Sequence, residues 1–115
     1  MTTSIFHNPR CSKSRATLAL LQERGIEPEI RLYLENPPSA NELRSILKLL
    51  GRDPRDLIRK GEAEYREQNL DDPNLDDNAL IAAMVSTPKL IERPIVLANG
   101  KAAVGRPPES VLEIL

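Results

Sequence analysis

Hydrophobic positions along this chain follow two different periods. Ser4 to His7 is a short apolar run that reads as a buried strand. After the turn signal Asn8-Pro9 the pattern becomes helical from Ser12 to Arg24, with Thr17, Leu20 and Leu21 at i, i+3 and i+4, Leu18 beside them, and Gly25 as the stop. Glu29 to Leu34 alternates apolar and polar with strand periodicity until Asn36-Pro37-Pro38 breaks it. Ser39 and Glu42 have capping-box spacing at the head of a second helix, whose stripe is Leu43, Ile46, Leu47 and Leu50 and whose stop is Gly51. Asp53-Pro54 are N-cap and first position of a short helix carrying Leu57, Ile58 and Arg59. Residues 61–76 are polar and read as a helical turn or two, then loop. Asp76 caps the next helix, with Leu80, Ile81, Met84 and Val85 on its apolar face and Pro88 at its close. Ile95 to Ala98 and Lys101 to Val104 flank Asn99-Gly100, the signature of a β-hairpin with a type I′ turn. Gly105-Arg106-Pro107-Pro108 leads into a last helix carrying Val111, Leu112, Ile114 and Leu115.

This order predicts an α/β fold. Two strands joined through a helix are parallel by a right-handed crossover, and the hairpin adds an antiparallel pair. The expected architecture is a four-stranded mixed sheet flanked by helices on both faces. A thioredoxin-like core with an all-helical insertion between strands two and three satisfies it. That fold puts a cis-proline just before the third strand, here Arg93-Pro94, beside the active-site cysteine. At 115 residues and 40% apolar, residues 1–115 are expected to form a single domain around one modest core.

Charge and composition narrow the function. A net charge of −1 gives no argument for nucleic acid or an anionic membrane as partner. The sequence has no apolar run of about 18 residues and no signal-peptide pattern, so the expected location is cytoplasmic. One cysteine excludes an internal disulfide framework and suits a reducing compartment. There is no Cys-x-x-Cys, no Cys-x5-Arg phosphatase loop and no glycine-rich nucleotide loop, and the acidic run from Asp71 to Asp77 lacks the central glycine of a calcium loop.

The chemistry centres on Cys11, which falls where the first helix begins. Free backbone N–H groups and the positive helix end favour a thiolate there, and Arg10, Lys13 and Arg15 add positive charge. A free cysteine is also often a small buried hydrophobe, but Pro9, Arg10, Ser12 and Lys13 are poor core company. Arg59, Arg93 and Arg106 each sit at the edge of a segment, and two of them precede proline, which holds the backbone extended. Converging on one thiolate, their guanidinium forks would suit a tetrahedral oxyanion; otherwise they are ordinary surface arginines. His7, the only histidine, is placed either to act on the thiolate or simply to end a strand. It does not make a metal site with Cys11, because two ligands are too few. Ser12 and Ser14 are candidate donors to an anion at the helix start, and capping explains Ser12 equally well.

Four stretches in order resemble one family. They are His7-Asn8-Pro9-Arg10-Cys11-Ser12-Lys13-Ser14-Arg15, Leu32-Tyr33-Leu34-Glu35, Glu92-Arg93-Pro94-Ile95-Val96 and Gly105-Arg106-Pro107-Pro108-Glu109. Together they resemble the glutaredoxin-dependent arsenate reductases (ArsC family), within them the YfgD-like subgroup, over essentially the whole chain. The resemblance implies that Arg59, Arg93 and Arg106 hold arsenate or a similar oxyanion while Cys11 attacks arsenic. It implies glutathione as co-substrate, glutaredoxin as the partner that resolves the mixed disulfide, and no bound cofactor. His7 and Ser14 match family residues near the thiolate. The absence of a second cysteine fits a resolving thiol from outside. Arg10 stands where the typical enzyme has a small residue, and Ser12-Lys13-Ser14 stands in place of Gly-Thr-Ser. Two other functions share the scaffold: a thiol-disulfide reductase of another substrate, and a Spx-like regulatory binding module, which typically carries Cys-x-x-Cys where this chain has Ser14. No apolar stripe is left over, so a monomer is expected.

Overall fold

A computed structural model describes residues 2–115, in two compact units: residues 2–36 with 93–115, and residues 37–92. The first unit holds the sheet. Its strands are β1 (Ser4–Phe6), β2 (Glu29–Arg31), β3 (Ile95–Ala98) and β4 (Lys101–Val104), in the order β2-β1-β3-β4. β1 and β2 are parallel, with Ile5 opposite Ile30, while β3 runs antiparallel to both β1 and β4. Helix α1 (Ser12–Glu23) makes the crossover between β1 and β2. The expected α/β architecture is the one found, a four-stranded mixed sheet with helices.

One face of the sheet carries the core of this unit. Ile5, Val96 and Ala98 pack with Leu21 of α1 and with Val111 and Ile114, while Leu18, Leu20 and Leu115 close the edges. The last segment, Pro108–Ile114, is 3-10 rather than α-helical. It follows Pro107 and begins at Pro108, and its return is pinned where Asn99 Nδ2 donates to the Ile114 carbonyl at 2.8 Å. Asn99 and Gly100 both have positive φ, 55° and 73°, which is the type I′ turn the hairpin needs. Gly25 follows α1 at φ 75° and its N–H bonds the Gln22 carbonyl at 2.9 Å, the expected helix stop.

The segment Glu29–Leu34 departs from the alternation read in the sequence. The strand ends at Arg31, because the chain turns at Leu32, whose carbonyl accepts N–H bonds from Glu35 and Asn36. Tyr33 is the buried residue there, stacked on Phe6 with ring centroids 6.3 Å apart. Ile30, Leu32 and Leu34 are 47%, 36% and 44% exposed.

The second unit is helical. It holds α2 (Ala40–Leu50), α3 (Pro54–Leu57), α4 (Ala63–Glu67), α5 (Asp77–Ser86) and a 3-10 turn at Pro88–Leu90. The capping box forms: Glu42 N–H donates to Ser39 Oγ at 3.1 Å and Ser39 N–H to Glu42 Oε1 at 3.0 Å. Leu43, Ile46, Leu47, Leu57, Leu80, Ile81, Met84 and Leu90 are buried, while Leu50 and Val85 are only half-buried. The acidic loop is organised by Arg55, which donates to the carbonyls of Leu70, Asp72 and Leu75 at 3.1, 2.6 and 3.2 Å.

Candidate active site

Cys11 is the N-cap residue of α1, with extended backbone (φ −95°, ψ 122°). The cap position is therefore Cys11 itself rather than Ser12. Its N–H donates to the Asn8 carbonyl at 3.0 Å, closing a turn, and its carbonyl accepts the first helical bond from Arg15 N–H at 3.0 Å. The residue is 7% exposed. The turn is held from both sides. Asn8 Oδ1 accepts from Arg10 N–H at 3.0 Å, and Arg15 Nη1 reaches back to the Pro9 carbonyl at 3.0 Å.

Arg106, one of the three predicted arginines, reaches the sulfur. Its Nη2 lies 3.7 Å from Cys11 Sγ, and its Nε donates to the Arg93 carbonyl at 2.8 Å. One guanidinium thus links Cys11 to the segment carrying the second predicted arginine. The Arg93-Pro94 bond is cis, as expected before β3, and Arg106-Pro107 is cis as well. Gly105 N–H donates to the Pro94 carbonyl at 2.9 Å, so the two proline segments are joined through their backbones.

Arg59 belongs to the helical unit. Its N–H bonds the Leu90 carbonyl at 2.7 Å, beside a bridge between Ile58 and Ile91. Its side chain is engaged with two carboxylates: Nη1 at 2.7 Å from Glu62 and Nε at 3.6 Å from Glu92. Neither glutamate was read in the sequence as a partner of Arg59, because nothing in the spacing marks them so. The arginine lines a pocket of about 420 Å³ with Arg55, Lys60 and Glu92.

His7 and Ser14 pair with each other. His7 Nδ1 and Ser14 Oγ lie 2.6 Å apart in a buried contact, and Asn8 N–H donates to the same oxygen at 3.0 Å. Burial, with Arg15 nearby, lowers the His7 pKa below 6.5. The ring is therefore neutral at pH 7. Ser14 Oγ accepts the Asn8 N–H and also meets the His7 ring, so one hydroxyl serves both groups. Ser14 thus fastens the end of β1 to the first turn of α1, and the His7 nitrogen seen to bond engages serine.

One contact had no sequence signal. A Cβ on Gly105 would lie 2.5 Å from Thr17 Oγ1 and 2.8 Å from Pro94 Cγ. Thr17 is fully buried and its hydroxyl donates to the Lys13 carbonyl at 2.8 Å. Gly105 is thus the point where the Arg106 segment presses on the helix that starts at Cys11. Among the described residues there is no group of three or more His, Cys, Asp or Glu suited to a metal ion, and no helix long and apolar enough to cross a membrane.

Comparisons with known proteins point to one family. The model of the ArsC family matches residues 6–114. The uncharacterized protein YfgD of Escherichia coli K12 is 62% identical over 112 residues, covering 96% of this chain and 94% of that protein. A protein of Neisseria meningitidis (strain MC58) named arsenate reductase is 55% identical, covering 96% of each chain. The solved structure of an arsenate reductase from Vibrio cholerae superposes with a TM-score of 0.97 at 55% identity, covering 100% of this chain and 98% of that one. The fold is thioredoxin-like, and this chain belongs to the ArsC family.

Proposed function

We propose that the protein is an arsenate reductase that uses Cys11 as nucleophile and draws its electrons from glutathione and glutaredoxin. The observation that carries this reading is the 3.7 Å approach of the Arg106 guanidinium to the Cys11 sulfur at a helix N-terminus. A fork donor beside the nucleophile suits an oxygen of a tetrahedral oxyanion while the sulfur attacks its centre. The names of the relatives give that centre as arsenic.

On this reading the Cys11 thiolate displaces one arsenate oxygen as water and forms a sulfur–arsenic(V) bond. The sulfur of an external thiol then attacks Sγ. The S–S bond forms, the S–As bond breaks, and its electron pair reduces arsenic from V to III. The thiol proton ends on an arsenite oxygen. A second external thiol, through glutaredoxin, exchanges with the mixed disulfide and restores Cys11. The single cysteine supports an external resolving thiol, because no second thiol is present in the chain. Arg106 and Arg93 are assigned to the oxyanion, Arg59 enters by resemblance, and His7 with Ser14 sets the entry of α1. The reading includes a monomer in the cytoplasm, where the glutathione pool is reducing.

A coupled assay tests it: arsenate, glutathione, glutaredoxin, glutathione reductase and NADPH, with wild type and Cys11→Ser. Arsenate-dependent NADPH oxidation that disappears in the variant is the expected result. Equal rates in the two proteins would overturn it.

A further inference from the structure

We propose that the pocket beside the Cys11 turn docks the thiol co-substrate, and that its chemistry selects a small peptide thiol carrying both carboxylate and ammonium groups. This rests on the reductase reading. A chain with one cysteine needs a second sulfur delivered to Cys11. The turn Asn8–Arg10 and the residues Leu32, Leu34 and Glu35 enclose a pocket of about 210 Å³. The bond from Cys11 N–H to the Asn8 carbonyl closes the turn, which keeps their Cα atoms within about 7 Å. The pocket wall therefore begins one turn from the nucleophile.

The walls have a mixed character that packing does not require. Leu32 and Leu34, 36% and 44% exposed, turn large apolar side chains outward just past the edge strand β2. Exposed apolar surface rimmed by polar groups marks a contact site. The rim carries opposite charges, Arg10 on the cysteine side and Glu35 on the other, both exposed. The cysteine side is uniformly basic: residues 1–22 include Arg10, Lys13 and Arg15 and no acidic residue. A carboxylate is favoured next to Arg10 and an ammonium next to Glu35. The apolar stem between them fits against Leu32 and Leu34. Glutathione carries this set of groups and β-mercaptoethanol does not. The volume is below the roughly 300 Å³ at which enclosed sites for larger ligands begin, which suits one end of a tripeptide.

Two measurements test the site. The first is an NMR titration with S-methylglutathione, which cannot react, so docking is read whether or not the enzyme turns over. Amide shifts are expected at Asn8, Arg10 and Leu32 to Glu35, with affinity reduced about fivefold or more in Leu34→Ser, Glu35→Gln and Arg10→Gln. The second compares glutathione with β-mercaptoethanol at saturating arsenate. Leu34→Ser and Glu35→Gln are expected to raise KM for glutathione alone, with KM for arsenate within about twofold of wild type. Shifts confined to other surfaces, unchanged affinity in all three variants, or equal KM changes for both thiols would each overturn the docking site. Docking without turnover would instead uphold the site and sink the reductase reading.

Discussion

Arg106 makes two contacts that a lysine cannot reproduce together. Nε holds the Arg93 carbonyl and Nη2 faces the Cys11 sulfur. Lysine keeps the charge but has one donor site and no planar fork. Loss of one charge-assisted hydrogen bond costs about 1.5–3 kcal/mol, so Arg106→Lys is expected to lower kcat/KM for arsenate roughly 10- to 100-fold. Wild-type kinetics in that variant would remove Arg106 from the site. His7 makes a prediction about pH. Its folded-state pKa lies below 6.5, so the unfolded chain takes up a proton first as pH falls. The histidine therefore lowers stability progressively below about pH 6.5, until pH passes its folded value. In thermal melts, His7→Gln is expected to lose less stability between about pH 7.5 and 5 than wild type does. A parallel fall in both proteins would show that His7 titrates alike in both states. Ser14→Ala leaves Asn8 N–H and His7 Nδ1 without their shared partner and is expected to cost about 1–3 kcal/mol.

At the scale of elements, the joint between α1 and the segment after β4 decides where Arg106 sits. Gly105 has no positive φ, so conformational freedom is not what requires glycine there; space is. Gly105→Ala places a methyl 2.5 Å from Thr17 Oγ1, so the Arg106 segment must withdraw from the helix. The expected result is a kcat/KM loss of about tenfold with the sheet retained by circular dichroism, because overpacking costs about 1–3 kcal/mol. Thr17→Ala in the same chain removes two of the three crowding atoms and is expected to recover part of that loss. A stability loss with kinetics unchanged would make Gly105 purely structural. Elements governed by local chemistry were legible in the sequence. The Asn99-Gly100 turn and the Ser39–Glu42 box form as read, because each is satisfied within a few residues. The end of β2 was not legible: alternation is symmetric about the strand, and it cannot tell that Tyr33 goes inward and Leu32 and Leu34 outward.

For the whole molecule, the same contrast governs what sequence reading recovered of the site. Cys11 at a helix start follows from element order, and the cis-proline before β3 from the thioredoxin-like fold that this order satisfies. The approach of Arg106 to Cys11 spans 95 positions and depends on sheet order, so spacing left it open beside the ordinary surface alternative. The pairing of Arg59 with Glu62 and Glu92 was hidden because exposed-looking charges carry no signal of their partners. The thiol count, by contrast, is a property of the whole chain and constrains the cycle directly. With one thiol, a completed reduction without glutaredoxin leaves Cys11 joined to the external thiol. Intact-mass measurement after arsenate and glutathione, with glutaredoxin omitted, is therefore expected to show one glutathionyl group per chain, on Cys11. Glutaredoxin is expected to remove it, and omission of arsenate or Cys11→Ser to prevent it. Rapid multiple turnover with glutathione alone and no adduct would mean that the resolving step does not pass through a mixed disulfide on this cysteine.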